Sequence, residues 1–267
     1  MGREYAREFS RDCIDYMRVS IYPVRRNATG KRGKRNKPTS DVMARHNYNV
    51  SVNNLTDHVN LNFSPSDCAL HLTYRDADMP ETIEEAIRLS KNAMRCIRRL
   101  WAKKTGKEES EFKYIIVDEV TSTGRYHHHC IITGGLTINE ISDKWRYGTT
   151  TTEPLRFDET GLCGISAYIC KQRLSYRRWR SSKNLAHPAE RQNDYRIKMR
   201  DLRHINGNPE DIAYIEALYP GWRVSPYSLR VTADTEQFAP YVSFLLYKED
   251  NSKFKEIGWK TRKKKHA

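Results

Sequence analysis

Leu70, Leu72 and Tyr74 alternate with Ala69, His71 and Thr73, the period-two pattern of a strand with one apolar face. His71, a lone histidine on the other face, reads as a hydrogen-bonded packing residue. From Glu81 to Lys104 the period changes. Ile83, Ile87, Met94, Ile97 and Trp101 recur at helical spacing, broken at Ser90, which predicts an amphipathic helix over one face of a sheet. Arg95, Arg98, Arg99, Lys103 and Lys104 crowd its far end, where the helix dipole favours cations, and read as a solvated face. Phe112 to Val120 is a strand rich in β-branched and aromatic residues. Thr121 to Gly124 forms a turn, and a second strand runs from the histidines to about Thr133, ended by Gly134-Gly135. Thr137 and Glu140 form a capping-box pattern, so a short helix is expected to about Tyr147. A short strand near Leu155 to Phe157 and a helix over Gly164 to Leu174 follow. Loose alternation over residues 45–63 suggests short strands ahead of this body. Beyond it, Pro209 to Tyr219 reads as a helix, and Arg223 to Thr232 and Tyr241 to Tyr247 as strands, with Pro226 demoting the first to an edge. Neighbouring strands joined by a tight turn, with helices between others, predict an α+β layout around an antiparallel sheet.

Charge adds a partner class to this picture. Lys and Arg number 47 against 33 Asp and Glu, a net +14 over 267 residues, which predicts attraction to polyanions such as nucleic acid. Residues 1–40 are basic and weakly patterned, as in a flexible arm; 41–200 hold the main domain; 201–267 form a C-terminal extension ending in a Lys- and Arg-rich tail. No apolar run is long enough to span a membrane, and the first residues lead into no apolar segment. None of the six cysteines has CxxC spacing, which argues against a zinc ribbon and suits a cytoplasmic protein with free thiols.

The candidate chemistry begins at Gly124-Arg125-Tyr126-His127-His128-His129. On a strand, His127 and His129 share one face and His128 takes the other. A catalytic metal site often combines three protein ligands with an open position. The third ligand is sought on the preceding strand, where Asp118 and Glu119 compete. If Ser122-Thr123-Gly124 is a three-residue loop, Glu119 lies opposite His127 on the same face and Asp118 opposite His128; a loop one residue longer or shorter reverses this. Two imidazoles and a carboxylate suit several divalent ions, with Mg²⁺ or Mn²⁺ favoured for reaction at phosphate. A nucleophile is offered by Tyr168 and Lys171, which share a helix face at i, i+3; a nearby cation favours the phenolate. Tyr176-Arg177-Arg178-Trp179-Arg180 and Lys183 interleave aromatics with cations, as for stacking on unpaired bases and binding phosphate, and Arg125 adds a cation beside the histidines.

Taken in order, Leu70-His71-Leu72-Thr73-Tyr74, the His127-His128-His129 block and Tyr168-Ile169-Cys170-Lys171 resemble three motifs of the HUH endonucleases, and most of all the single-tyrosine rolling-circle replication initiators (Rep) of plasmids and phages. The resemblance covers roughly residues 45–200 and implies a ferredoxin-like antiparallel sheet with packed helices. It further implies nicking and joining of single-stranded origin DNA through a 5′-phosphotyrosine at Tyr168, assisted by Lys171, with a divalent metal held by His127, His129 and Glu119. A bacterial host cell and a host helicase as partner are implied too, since no Gly-x-x-x-x-Gly-Lys loop is present. Two alternatives stand beside this: a relaxase or single-tyrosine transposase with the same chemistry, and a non-catalytic single-stranded nucleic-acid-binding module.

Overall fold

The computed structural model describes residues 4–25, 41–169, 178–232 and 240–255, with the side chains of 25, 41–46, 168, 169 and 255 outside that set. In chain order the elements are β1 (Glu4–Asp12), β2 (Tyr16–Arg25), α1 (Asp41–Asn62), β3 (Cys68–Thr73), α2 (Ile83–Thr105), β4 (Tyr114–Val120) and β5 (Tyr126–Ile132). Then come α3 (Ile138–Ser142), β6 (Thr150–Pro154), α4 (Cys163–Ile169), β7 (Arg180–Ser181), β8 (Ala189–Asn193), α5 (Met199–Gly207), α6 (Ile212–Leu218), β9 (Trp222–Val224), β10 (Arg230–Thr232), β11 (Tyr241–Lys248) and α7 (Ser252–Lys255). They form an α+β protein with two antiparallel sheets, divided into two compact units.

The unit of residues 48–157 and 162–186 holds a five-stranded sheet in the order β6-β3-β5-β4-β7. Every neighbouring pair in it is antiparallel. One face is covered by α2. Thr82 caps that helix by accepting from the Glu85 amide, and Gly106 ends it in the left-handed conformation. Leu89, Ala93, Met94, Ile97 and Trp101 are buried along its stripe and pack with Leu70, Leu72, Ile116, Cys130 and Ile132 of the sheet and with Tyr74 just past β3. The two buried indoles of this core are satisfied: Trp101 donates to the Gly134 carbonyl at 2.8 Å and Trp145 to the Thr73 carbonyl at 2.7 Å.

The other unit takes residues 1–47, 158–161 and 187–267. Its sheet runs β10-β11-β2-β1-β8, with β9 also paired to β11. Here α5 and α6 supply Leu202, Ile205 and Ile215 to a core with Ala6, Val19, Ile21, Val242, Phe244 and Leu246. The buried Glu8 carboxylate accepts from Arg196 at 3.0 Å, and burial holds its pKa above the usual glutamate value.

Several expectations are corrected. Residues 4–25 are not part of a flexible arm: β1 and β2 pair along their whole length at the centre of the six-stranded sheet, while residues 26–40 lie outside the described set. The domain boundaries move accordingly, since residues 187–200 belong with the two chain ends rather than with the histidine-bearing unit. The short strands expected over 45–63 are helix α1. Val52, Leu55, Val59 and Phe63 are buried at steps of three and four, and that period outweighs the loose alternation. The strand expected at Leu155 to Phe157 lies earlier, at β6. Arg223 to Thr232 is two short strands, β9 and β10, separated by a turn in which Tyr227 has φ 57°.

Candidate metal centre

The hairpin of β4 and β5 is set by its turn. The Gly124 amide donates to the Thr121 carbonyl at 3.0 Å, Thr121 N–H donates to the Arg125 carbonyl at 2.9 Å, and Gly124 takes φ 79°. This is the three-residue loop with a left-handed glycine. It fixes Glu119 opposite His127 and Asp118 opposite His128. On the other side, β3 pairs with β5 so that His71 faces His129 and Thr73 faces His127.

His71, His127, His129 and Glu119 therefore meet on the sheet face away from α2. The three imidazoles offer nitrogens all within 4.8 Å of one another. The His71 and His129 rings stack with centroids 4.6 Å apart and planes 3° from parallel; His127 stands edge-on to both. Glu119 Oε2 lies 3.0 Å from Nε2 of His127 and 3.0 Å from Nε2 of His129. Side-chain exposure is only 11% for His127 and 14% for His129. His71 Nε2 is buried with no hydrogen-bond partner. An orphaned buried imidazole nitrogen is costly unless another group uses its lone pair. Burial pushes the His129 pKa down to about 4, with repulsion from His71 and His127 adding to it; burial and then His127 lower that of His71. Both are thus neutral near pH 7, the form that binds a cation. Three imidazole nitrogens, with the Glu119 carboxylate beside two of them, suit a divalent transition ion, Zn²⁺ or Mn²⁺ among them, and the ligand types leave its identity open.

His71 is where the sequence reading falls short: it is not a packing residue satisfied by hydrogen bonding. The alternation of β3 had already put it off the apolar face, but only the pairing of β3 with β5 brings it to His129.

Behind the sheet, His128 is fully buried. Its Nδ1 faces Asp118 Oδ1 at 2.7 Å and its Nε2 the Tyr74 hydroxyl at 2.7 Å. Burial lowers its pKa, so the ring is neutral, donates to Asp118 and accepts from Tyr74. Arg180 closes the network with two bonds to Asp118, at 3.0 and 2.6 Å, and one to Ser90 at 3.0 Å. Burial opposes the Asp118 charge, but these donors hold its pKa below the usual carboxylate value.

The other site residues read from the sequence separate. Arg180 directs Nε and Nη2 to Asp118 and Ser90 rather than outward to solvent. Trp179 is half-buried with its ring 5.4 Å from that of His58 on α1, and Arg178 lies 5.4 Å over the Tyr48 ring. Lys183 is exposed. Arg125 bonds the Asp76 carboxylate and donates to the Tyr74 carbonyl at 2.8 Å. Tyr168 falls in the last turn of α4 with its side chain outside the described residues; Lys171 and Arg177 lie outside them altogether. One turn before Tyr168, Ile165 lines a cavity of about 250 Å³ together with His71, His129 and Glu153.

An α+β unit with a three-histidine, one-carboxylate cluster on a sheet face is the class of protein this geometry defines. Residues 67–173, from β3 through α4, match the model of a family described as Replication-associated protein ORF2/G2P. No curated protein and no solved structure matches the chain. Among the described residues no helix is long and apolar enough to cross a membrane.

Proposed function

We propose that this protein initiates replication by nicking and rejoining single-stranded origin DNA, with a divalent metal at the His71, His127, His129 and Glu119 cluster and Tyr168 as nucleophile. The observation that carries the reading is the cluster itself, above all the buried His71 nitrogen without a partner. The match of residues 67–173 to a replication-associated family supports the biological setting. When bound, the ion would polarise the scissile phosphate and offset the charge that develops there. Glu119 Oε2, 3.0 Å from Nε2 of both His127 and His129, would add a carboxylate oxygen beside the imidazoles when the ion is bound. The course of α4 supports Tyr168 in its role, since Ile165, one turn earlier, borders the cavity beside His71 and His129. The Tyr168 oxygen would form a bond to phosphorus as the bond to the 3′ oxygen breaks. The phenolic proton passes to solvent, the leaving 3′ oxygen takes up a proton, and the 5′ end stays joined to the enzyme until the reverse step. Lys171 favours the phenolate through its charge. Arg125, Arg178, Trp179 and Lys183 remain candidates for the DNA strand, and a host helicase is the expected partner for unwinding.

The full chain is incubated with a pool of single-stranded oligonucleotides and Mn²⁺, with and without chelator, and covalent protein–DNA adducts are resolved by denaturing electrophoresis. Adducts that need the metal and vanish in Tyr168→Phe are expected. An adduct that persists in Tyr168→Phe overturns the nucleophile. Tight DNA binding with no cleavage under any divalent ion favours the non-catalytic module.

A further inference from the structure

On the α2 side of the same unit, the helix and the turn after α3 enclose a cleft of about 550 Å³. Arg99 and Lys103 line it from α2, and Lys144 and Arg146 from the turn. Leu100, Ala93 and Tyr147 add apolar surface, and Asp143 is the one carboxylate among the lining residues. Three neighbouring cations on this side are spent in ion pairs, while Lys91 and Arg95 of α2 form none among the described residues but lie outside the cleft lining. Arg88 is paired with Glu85 at 3.0 Å, Arg98 with Glu109 at 3.0 Å and Lys104 with Glu140 at 2.8 Å. Among the described residues, Arg99, Lys103, Lys144 and Arg146 form no ion pair. Arg99 and Lys103 stand one helical turn apart and so present adjacent charges along the cleft. The Lys104–Glu140 pair ties the start of α3 to the end of α2 beside it.

We propose that this cleft binds the phosphate backbone of duplex DNA. Converging unpaired cations with a single opposing carboxylate call for a polyanion. The aromatic ring at the site is not free for stacking on bases: Tyr147 packs against Trp145 with centroids 5.2 Å apart and against Tyr74 at 6.4 Å. The cleft therefore grips phosphates, which a duplex presents outward, and carries no base readout. It belongs to the α2 side, whereas His127 and His129 face the other way, so it cannot hold the phosphate at the metal cluster. Its role would be to grip duplex flanking the strand to be cut. That role rests on the proposed nicking function, but the binding itself does not.

The test compares the full-length protein with the combined variant Arg99→Ala, Lys103→Ala, Lys144→Ala, Arg146→Ala. A control variant removes equal charge outside the cleft: Arg88→Ala, Lys91→Ala, Arg98→Ala, Lys107→Ala. Fluorescence anisotropy with a labelled duplex of arbitrary sequence is measured across a salt series. The cleft variant is expected to weaken binding alike for unrelated sequences and to flatten the log K against log salt slope by about 3 to 4, at roughly 0.9 for each phosphate no longer neutralised. The control should change the slope by clearly less, and adduct formation on a short single-stranded oligonucleotide should be unchanged in the cleft variant. Equal effects of the two variants, wild-type binding by the cleft variant, or polyglutamate held as tightly as duplex would each overturn the proposal. If duplex binding is lost as expected while no variant, nor the wild type, ever forms an adduct, the cleft stands and the nicking reading fails.

Discussion

His71 and His128 show how two histidines on neighbouring strands acquire opposite duties. His71 keeps a buried nitrogen without a partner on the open face, whereas both nitrogens of His128 are bonded behind it. His71→Ala should therefore weaken Mn²⁺ binding by more than the roughly 10- to 100-fold that loss of an outer-shell partner costs, read by titration calorimetry, with a small change in melting temperature. Asp118→Ala should do the reverse. It strands the Arg180 guanidinium and the His128 ring, and should cost about 3 kcal/mol in urea unfolding at unchanged metal stoichiometry. The histidines also set a pH dependence. His71, His128 and His129 are all held below the ordinary histidine pKa, so the unfolded chain binds more protons than the folded one as pH falls through about 6.5. Metal-free protein should lose stability from that point downward, and the His129 share should level off near its folded value of about 4. Urea midpoints measured from pH 7.5 to 4.5 without metal check this; a midpoint that rises on acidification contradicts it.

At the scale of elements, the hairpin of β4 and β5 decides which carboxylate joins the histidines. Its register follows from Gly124 in the left-handed conformation, which was legible from the Ser122-Thr123-Gly124 spacing. Helix α2 was legible for a similar reason: an apolar stripe of 3.6 period with Thr82 and Gly106 at its ends is local information. Helix α1 was hidden because its valines and asparagines favour strands and turns locally, and burial of one stripe overrides that preference. Close approach matters at Gly148, where an added Cβ would sit 2.1 Å from the Thr73 carbonyl oxygen and 2.8 Å from the Tyr74 Cα. Backbone cannot yield cheaply there. Gly148→Ala should cost about 2 to 3 kcal/mol, seen as a lower urea midpoint, by forcing apart the 147–149 segment and the end of β3.

At the scale of the molecule, the chain order and the fold part company. Residues 4–25 and the last strands share one sheet, with β2 paired to β11 across more than two hundred residues. Deleting residues 1–25 should thus do more than remove basic charge. It takes the two central strands from the six-stranded sheet, and limited proteolysis should then cut quickly within 187–255 while 67–157 stays protected.

The sequence by itself determined what depends on near neighbours. It set the amphipathic α2, the cap at the start of α3 though not its end at Ser142, and the separation of His127 and His129 from His128, and it offered the three-residue turn under which Glu119 rather than Asp118 shares their face. Tertiary structure decided what depends on pairing between distant segments: β3 against β5, which turns a lone histidine into the third imidazole of the cluster, and β4 against β7, which draws Arg180 away from solvent to Asp118. Side-chain periodicity tells which face a residue occupies, but the partner across a sheet is set by long-range strand pairing, which no local spacing encodes.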